Sequence, residues 1–198
     1  MKSKTIFLLA FVIMLFVGCA ASVLTSVSSI AHQNIPSGAG VHVLPGNNSI
    51  ESKKIVKIIK GKLQKKMYRL TELKDADIII SFSAEMLGAK TKTGTINTPV
   101  QTQVYDPYTG LSSLQTTGYQ SQSYSTTTHQ REIRVQFHDG RKLRAKETET
   151  ILWEAVGKSG GTSSDIIRVA PAIIASIFEE LGRDSDSKLH SKELLQKH

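Results

Sequence analysis

From Ala84 to Gln130 the chain carries a stretch that cannot build a core of its own. Gly88, Gly94, Pro99, Pro107, Gly110 and Gly118 punctuate a run dominated by Thr, Ser, Gln and Tyr. Within it, Gln120 to Thr128 is low in complexity, without charge and without an apolar stripe. Any folded body must therefore come from the segments on either side, with residues 84–130 as a polar insertion. Thr and Tyr favour strands, so the insertion is either a pair of long hairpin arms or a mobile loop. Its hydroxyl, amide and phenol groups suit glycan or peptide contacts, and strand-forming arms can add to a partner's sheet.

The flanks carry clear periodicities. Val41-His42-Val43-Leu44 is a β-branched run closed by the turn pair Pro45-Gly46, and reads as the first strand. Asn47-Asn48-Ser49 offers helix N-cap chemistry. From Ile50 to about Leu70 the apolar positions fall in three- and four-residue steps, as Ile55, Ile59 and Leu63 and as Val56, Ile59, Leu63, Met67 and Leu70, the period of an amphipathic helix. Gly61 weakens that helix without forbidding it. Ile78-Ile79-Ile80-Ser81-Phe82-Ser83 reads as a buried strand.

After the insertion, Ile133, Val135 and Phe137 alternate with Glu132, Arg134, Gln136 and His138, a half-buried strand. Asp139-Gly140 then signals a two-residue hairpin, with Leu143 and Ala145 on the return strand. Thr150 to Val156, holding the chain's one tryptophan, Trp153, is another strand, broken at Lys158-Ser159-Gly160-Gly161. Ser163 or Ser164 can cap a second helix, lined by Ile167, Ala170, Ile174, Ile177 and Leu181, kinked at Pro171 and stopped by Gly182. This order predicts an α+β domain over residues 41–182, a mostly antiparallel sheet with two amphipathic helices on one face. Residues 183–198 read as a charged tail, frayed or helical.

The N-terminus specifies an address. Met1-Lys2-Ser3-Lys4 precedes an unbroken apolar run from Ile6 to Val17, then Gly18-Cys19-Ala20. A basic segment, an apolar core and a small-residue site follow the order of a secretory signal. The run is shorter than the roughly 20 apolar residues a spanning helix needs. Leu15-Phe16-Val17-Gly18-Cys19 resembles the lipobox of bacterial lipoproteins, with Phe16 in place of the usual Leu. The resemblance implies removal of residues 1–18 as a lipoprotein signal peptide. It further implies a diacylglyceryl thioether on Cys19 with an acylated amine, and residues 19–40 as the lipidated N-terminus and flexible tether. Each buried methylene contributes about 0.8 kcal/mol, so one acyl chain anchors marginally and two or three anchor stably. Ala20, in place of the Asp that retains such proteins at the inner membrane, implies the outer membrane, facing the periplasm. The alternative is an uncleaved single-helix anchor from Thr5 to Val27. The one cysteine excludes an internal disulfide and any multi-cysteine zinc site.

Several pieces together resemble a family of bacterial lipoproteins, the domain-of-unknown-function family numbered four-one-three-six. They are the lipobox ending at Cys19, the helix ending near Met67-Tyr68-Arg69-Leu70, and Asp75-Ala76-Asp77 leading into Ile78-Ile79-Ile80-Ser81-Phe82. The Tyr- and Gly-containing polar middle, Ile151-Leu152-Trp153-Glu154-Ala155 and the closing apolar helix complete the likeness, over roughly residues 41–181. Arg141 to Thr150 departs from it, being longer and more basic than a tight turn before the tryptophan strand. The resemblance implies an envelope lipoprotein domain and supplies no catalytic residue.

The chain has 25 Lys and Arg against 17 Asp and Glu, a formal charge of +8, and much of the excess lies on the first helix. Opposite its apolar face stand Lys53, Lys54, Lys57, Lys60, Lys62, Lys65 and Lys66. These lysines can meet anionic lipid heads, phosphate groups or an acidic envelope protein, or can be a solvated face that keeps the domain soluble. Export argues against nucleic acid as a partner, and no nucleic-acid motif accompanies the lysines. The six histidines form neither HExxH nor a close pair on a helix. His138-Asp139 resembles a base with its orienting carboxylate, but also reads as a strand entering a turn. Asp75 and Asp77 lack a calcium-loop pattern, and no serine sits in a nucleophile elbow. The expectation is a non-enzymatic, lipid-anchored envelope protein with a binding or bracing role and no cofactor. The alternatives are an envelope hydrolase with an unrecognised site, which a convergence of His138, Asp139 and a distant serine would favour, or an inner-membrane protein held by a single helix.

Overall fold

The computed structural model describes residues 22–194, so the expected signal peptide over residues 1–18 and Cys19 lie outside the described residues. The strands are β1 (Ser22–Ala31), β2 (Gly40–Val43), β3 (Arg69–Leu70), β4 (Ile78–Tyr105), β5 (Ser112–Asp139), β6 (Ile151–Gly161) and β7 (Ser185–Glu193). The helices are α1 (Ile50–Lys65), α2 (Gly140–Arg144) and α3 (Ile166–Glu179), with a single 3-10 turn at Leu73–Asp75. The strands form one sheet in the order β3-β2-β4-β5-β6-β1-β7. β2 runs parallel to β3 and β4; the other pairs are antiparallel. The architecture is α+β, as the periodicities predict, and α1 and α3 pack on one face of the sheet.

That face is set by strand parity. Ile78, Ile80 and Phe82 of β4 lie beside Val135 and Phe137 of β5 and Trp153 and Ala155 of β6, all buried. Ile55, Ile59 and Leu63 of α1 and Ile173, Ile174, Ile177 and Phe178 of α3 close over them. Phe137 sits at the centre, its ring edge-to-face with Trp153 at 5.3 Å and with Phe178 at 6.2 Å. The opposite face carries Glu132, Arg134, Gln136, His138, Glu154 and Lys158. At one end of that face α2 and the 3-10 turn cover Ile79, which is fully buried.

Several expectations are corrected. Residues 22–31, read as part of a tether, are β1, which lies between β6 and β7. Val23, Thr25, Val27 and Ser29 alternate inward, and the small hydroxyl residues that suggest a linker pack as a strand once neighbours supply the ladder. The tail at 183–198 contains β7, which pairs with β1 from Ser22↔Glu193 to Ser29↔Ser185. Asp139-Gly140 makes no two-residue hairpin. Asp139 caps α2 instead, its Oδ1 accepting the N–H groups of Arg141 at 2.9 Å and Lys142 at 3.1 Å. The expected return strand at Leu143 and Ala145 is therefore helix and loop, and β6 carries the antiparallel return. Lys158 to Gly161 continues β6 without a break.

Helix α1 ends at Lys65, short of Leu70. Met67 takes a left-handed conformation (φ 66°), Met67 N–H bonds Gln64 O and Tyr68 N–H bonds Leu63 O, the paired bonds of a Schellman stop. This turns the chain so that Arg69–Leu70 can pair with β2. Asp165, rather than Ser163 or Ser164, caps α3, accepting from Ile167 N–H at 2.8 Å. Pro171 lies inside α3, which continues through it from Ile166 to Glu179. Of the two alternatives for residues 84–130, the hairpin arms hold: β4 and β5 are 28 residues each and remain paired from Ile78↔Asp139 to Tyr105↔Ser112.

Candidate functional site

Three surfaces carry chemistry: the outer face of α1, the ionic cluster where α3 meets β7, and the ribbon formed by the outer halves of β4 and β5.

Among the lysines of α1, Lys53, Lys54, Lys57, Lys65 and Lys66 are exposed, whereas Lys60 and Lys62 are half-buried. They stand on the side opposite Ile55, Ile59 and Leu63, as the helical period requires. Lys62 differs from the rest. Burial is the largest influence holding its pKa below the ordinary lysine value, and Lys65 and Lys192 push the same way while Glu179 opposes them. Glu179 and Lys192, two members of the ionic cluster, are thus close enough to act on it electrostatically.

That cluster was missed in the sequence. Glu179 and Glu180 end α3, and Lys188, His190 and Lys192 alternate along β7, so the strand's period of two turns all three toward the carboxylates. Lys188 Nζ reaches Glu180 Oε1 at 2.8 Å. His190 Nδ1 lies 3.0 Å from Glu179 Oε2, and its Nε2 lies 3.1 Å from Glu180 Oε1 without hydrogen-bond geometry. Lys192 pairs with Glu179. The hydrogen bond from Lys188 is the main cause of a depressed Glu180 pKa. For Glu179 burial pushes upward, but Lys192 and His190 outweigh it and the pKa is lowered. A basic residue at every second position after a double-glutamate helix end is the signal that could have revealed β7.

A depressed carboxylate pKa stabilises the fold above the unfolded value of 4.5, and that contribution fades as pH falls through the folded value. Stability should thus hold at neutral pH and drop as solution becomes more acidic than the ordinary carboxylate range. Glu180 is 4% exposed, so Glu180→Gln should cost roughly 1–2 kcal/mol at pH 7 and flatten the acid limb. Urea denaturation across pH would measure both. An unchanged acid limb in the variant would show that other carboxylates govern it.

The His138 neighbourhood also differs from its sequence reading. His138 Nε2 lies 3.0 Å from Ser81 Oγ on β4, and Nδ1 lies 3.2 Å from Thr150 Oγ1. Asp139 is committed to capping α2, so the adjacent carboxylate does not orient the ring. Burial lowers the His138 pKa, with Glu154 opposing. Ser81 and His138 therefore form a hydrogen-bonded pair whose third member is a hydroxyl. His42 is half-buried, its Nδ1 donating to Thr71 O at 2.9 Å. Asp77 Oδ2 accepts the Gly40 N–H at 2.9 Å, which ties the start of β2 to that of β4. Among the described residues, no three His, Cys, Asp or Glu side chains converge in a way that could hold a metal ion. A shallow groove of about 700 Å³ on the polar face runs past Ser28, Ile30, Arg134, Glu154 and Asp184.

At the root of the ribbon Arg131 is 1% exposed, on the helix side of the sheet. Its Nη2 donates to Gly161 O at 3.1 Å and to Ser163 O. Burial lowers its pKa, and among the described residues no carboxylate pairs with it. The two carbonyl contacts clamp the base of β5 to the loop leading into α3. Beyond this point no layer among the described residues covers β4 and β5. Tyr124 lies against Gly94 across the pair, where a Cβ would collide with its ring. Thr91 Oγ1 and Thr127 Oγ1 are 3.0 Å apart, and Ser121 Oγ donates to Asn97 Oδ1 at 2.7 Å.

No protein-family model matches this chain, and no curated protein matches it significantly. Among solved structures, a PDZ domain protein from Parabacteroides distasonis is similar at 11% identity with a TM-score of 0.45. The alignment covers 86% of this chain and 38% of that one, so the chain spans well under half of the neighbour's length. No helix among the described residues is long and apolar enough to cross a membrane.

Proposed function

We propose that this chain is a bacterial envelope lipoprotein anchored through Cys19, facing the periplasm from the outer membrane, with a binding or bracing role rather than a catalytic one. The observation that carries this reading is the spacing between the lipobox and the fold. Only Ala20 and Ala21 separate Cys19 from Ser22, where β1 begins. An acylated Cys19 would hold the sheet against the bilayer surface instead of on a long tether. β1 is locked between two strands, so tension on the anchor would pass into the sheet.

In this setting the exposed lysines of α1 are a surface for anionic lipid heads or an acidic envelope protein, each lysine near an anionic membrane contributing on the order of 1 kcal/mol. Thr150 Oγ1, a hydroxyl, holds the second ring nitrogen of His138 in the Ser81–His138 pair, and this arrangement supports binding over hydrolysis. Labelled palmitate fed to cells should enter the wild-type protein and be lost completely from Cys19→Ala, which should also leave the membrane fraction. Equal labelling of the two proteins would refute the anchor.

A further inference from the structure

We infer that the projecting ribbon is a self-association element, its open strand edges pairing with the ribbon of a second copy of this chain. Within the sheet β2 covers β4 only from Ile78 to Ile80, and β6 covers β5 only between His138 and His129. Among the described residues, 90–105 and 112–128 therefore pair only with each other. Every second residue along both outer edges turns its N–H and C=O outward with no strand to receive them. At about 3.3 Å per residue these edges run on the order of 50 Å.

A two-stranded ribbon standing alone is marginal in water. Exposed edges are normally protected by lysines, inward charges or short length. Here the edges are long, and from residue 93 to residue 128 the one ionised side chain is Asp106, at the tip. Pro99 is the single residue within the arms that lacks an N–H to offer.

Two further observations select the occupant. The chain is strongly basic, so copies repel through their bodies, and the part of the ribbon from residue 93 to residue 128, where Asp106 is the one charge, is where two of them can approach. The side chains are also self-complementary. Thr, Ser and Asn already pair across the ribbon at Thr91–Thr127, Asn97–Ser121 and Thr102–Thr117, and such groups form ladders between identical strands. A bilayer is the poorer fit. Ile96, Val100 and Val104 lie opposite Gln122, Gly118 and Ser113, so the face they share is mixed. The other face sets Asn97, Pro99 and Gln101 against Ser121, Tyr119 and Thr116. Neither offers the apolar band that lipid demands.

The test is the protein mass of the full chain in non-ionic detergent, by sedimentation over a concentration series. Wild type should exceed one chain mass at roughly 100 µM. Thr98→Lys and Gln120→Lys, opposed on one ribbon face, should each weaken association by roughly tenfold or more, since like charges would meet between copies. Unchanged emission from buried Trp153 would confirm that the body of each variant is folded. Hydrogen exchange on the wild type supplies a measurement that needs no variant: amide protection in residues 90–105 and 112–128 should rise with protein concentration. A single-chain mass at the highest concentration, association indifferent to both lysines in folded variants, or protection independent of concentration would overturn the proposal. So would association that requires added phosphatidylcholine vesicles, which would assign the ribbon to the membrane.

Discussion

Trp153→Ala should lower the unfolding free energy by about 3–5 kcal/mol, the range for emptying a large aromatic site in a core. Trp153 is fully buried, stacks edge-on against Phe137, and donates its indole N–H to Arg183 O at 3.3 Å. The truncation would remove all three contributions at once. Phe137 would lose its ring partner, a carbonyl near the end of α3 would lose its donor, and the cavity would lie where sheet and helix meet. For a body of this size, each kcal/mol shifts the melting temperature by roughly 2–4 °C, so a drop on the order of 6–20 °C is expected. Far-UV circular dichroism must report it, because the substitution removes the chain's one tryptophan. Trp153→Phe should recover much of the loss by keeping an aromatic edge contact. A loss below about 1 kcal/mol for the alanine variant would mean that this pair is not the centre of the core.

Gly140→Ala should also be severe, through crowding instead of emptying. A Cβ at Gly140 would overlap Ala76 O and lie 2.9 Å from Asp77 O, and both obstacles are main chain. Gly140 N–H also bonds Asp77 O at 2.7 Å, so the two segments cannot separate without losing that bond. Overpacking of this kind typically costs about 1–3 kcal/mol, with more when backbone must move. The expected damage is local at first. α2 should detach from the start of β4, uncovering Ile79 and loosening the hydrogen bond between Asp77 and Gly40. Thermal melting would give the magnitude, and faster exchange of amides in residues 76–80 would give the location. A variant as stable as wild type would show that α2 can shift away at little cost.

The elements legible in the sequence share one property: their periodicity is written in large apolar residues. Ile55, Ile59 and Leu63 placed α1, Ile174 and Ile177 placed α3, and Ile133, Val135 and Phe137 placed the inner half of β5. The outer strands β1 and β7 were not legible. Their inward positions include Thr25, Ser29, Lys188 and His190, which carry no strong apolar alternation. A strand built on such residues exists because neighbours far away in sequence supply its ladder and, for β7, its countercharges. Asp139-Gly140 misled for a related reason. The pair suits a hairpin, but Asp139 can equally cap a helix, and the nearby backbone of Ala76 and Asp77 leaves room only for glycine. The site followed the same division. The lysines of α1 could be counted from the helical period, whereas the pairing of Glu179 and Glu180 with β7 and the meeting of Ser81 with His138 join residues on different elements.

By itself the sequence determined the two core helices, the apolar inner strands, the sheet-and-helix class, and a polar insertion unable to fold alone, because local period and side-chain chemistry suffice for these. Only the tertiary structure decided that the stretch just after Cys19 is a strand, that the C-terminal segment closes one side of the sheet, and that the insertion stands out as a ribbon with open edges. Strand pairing is a contact between distant parts of the chain, and no window of sequence contains both partners.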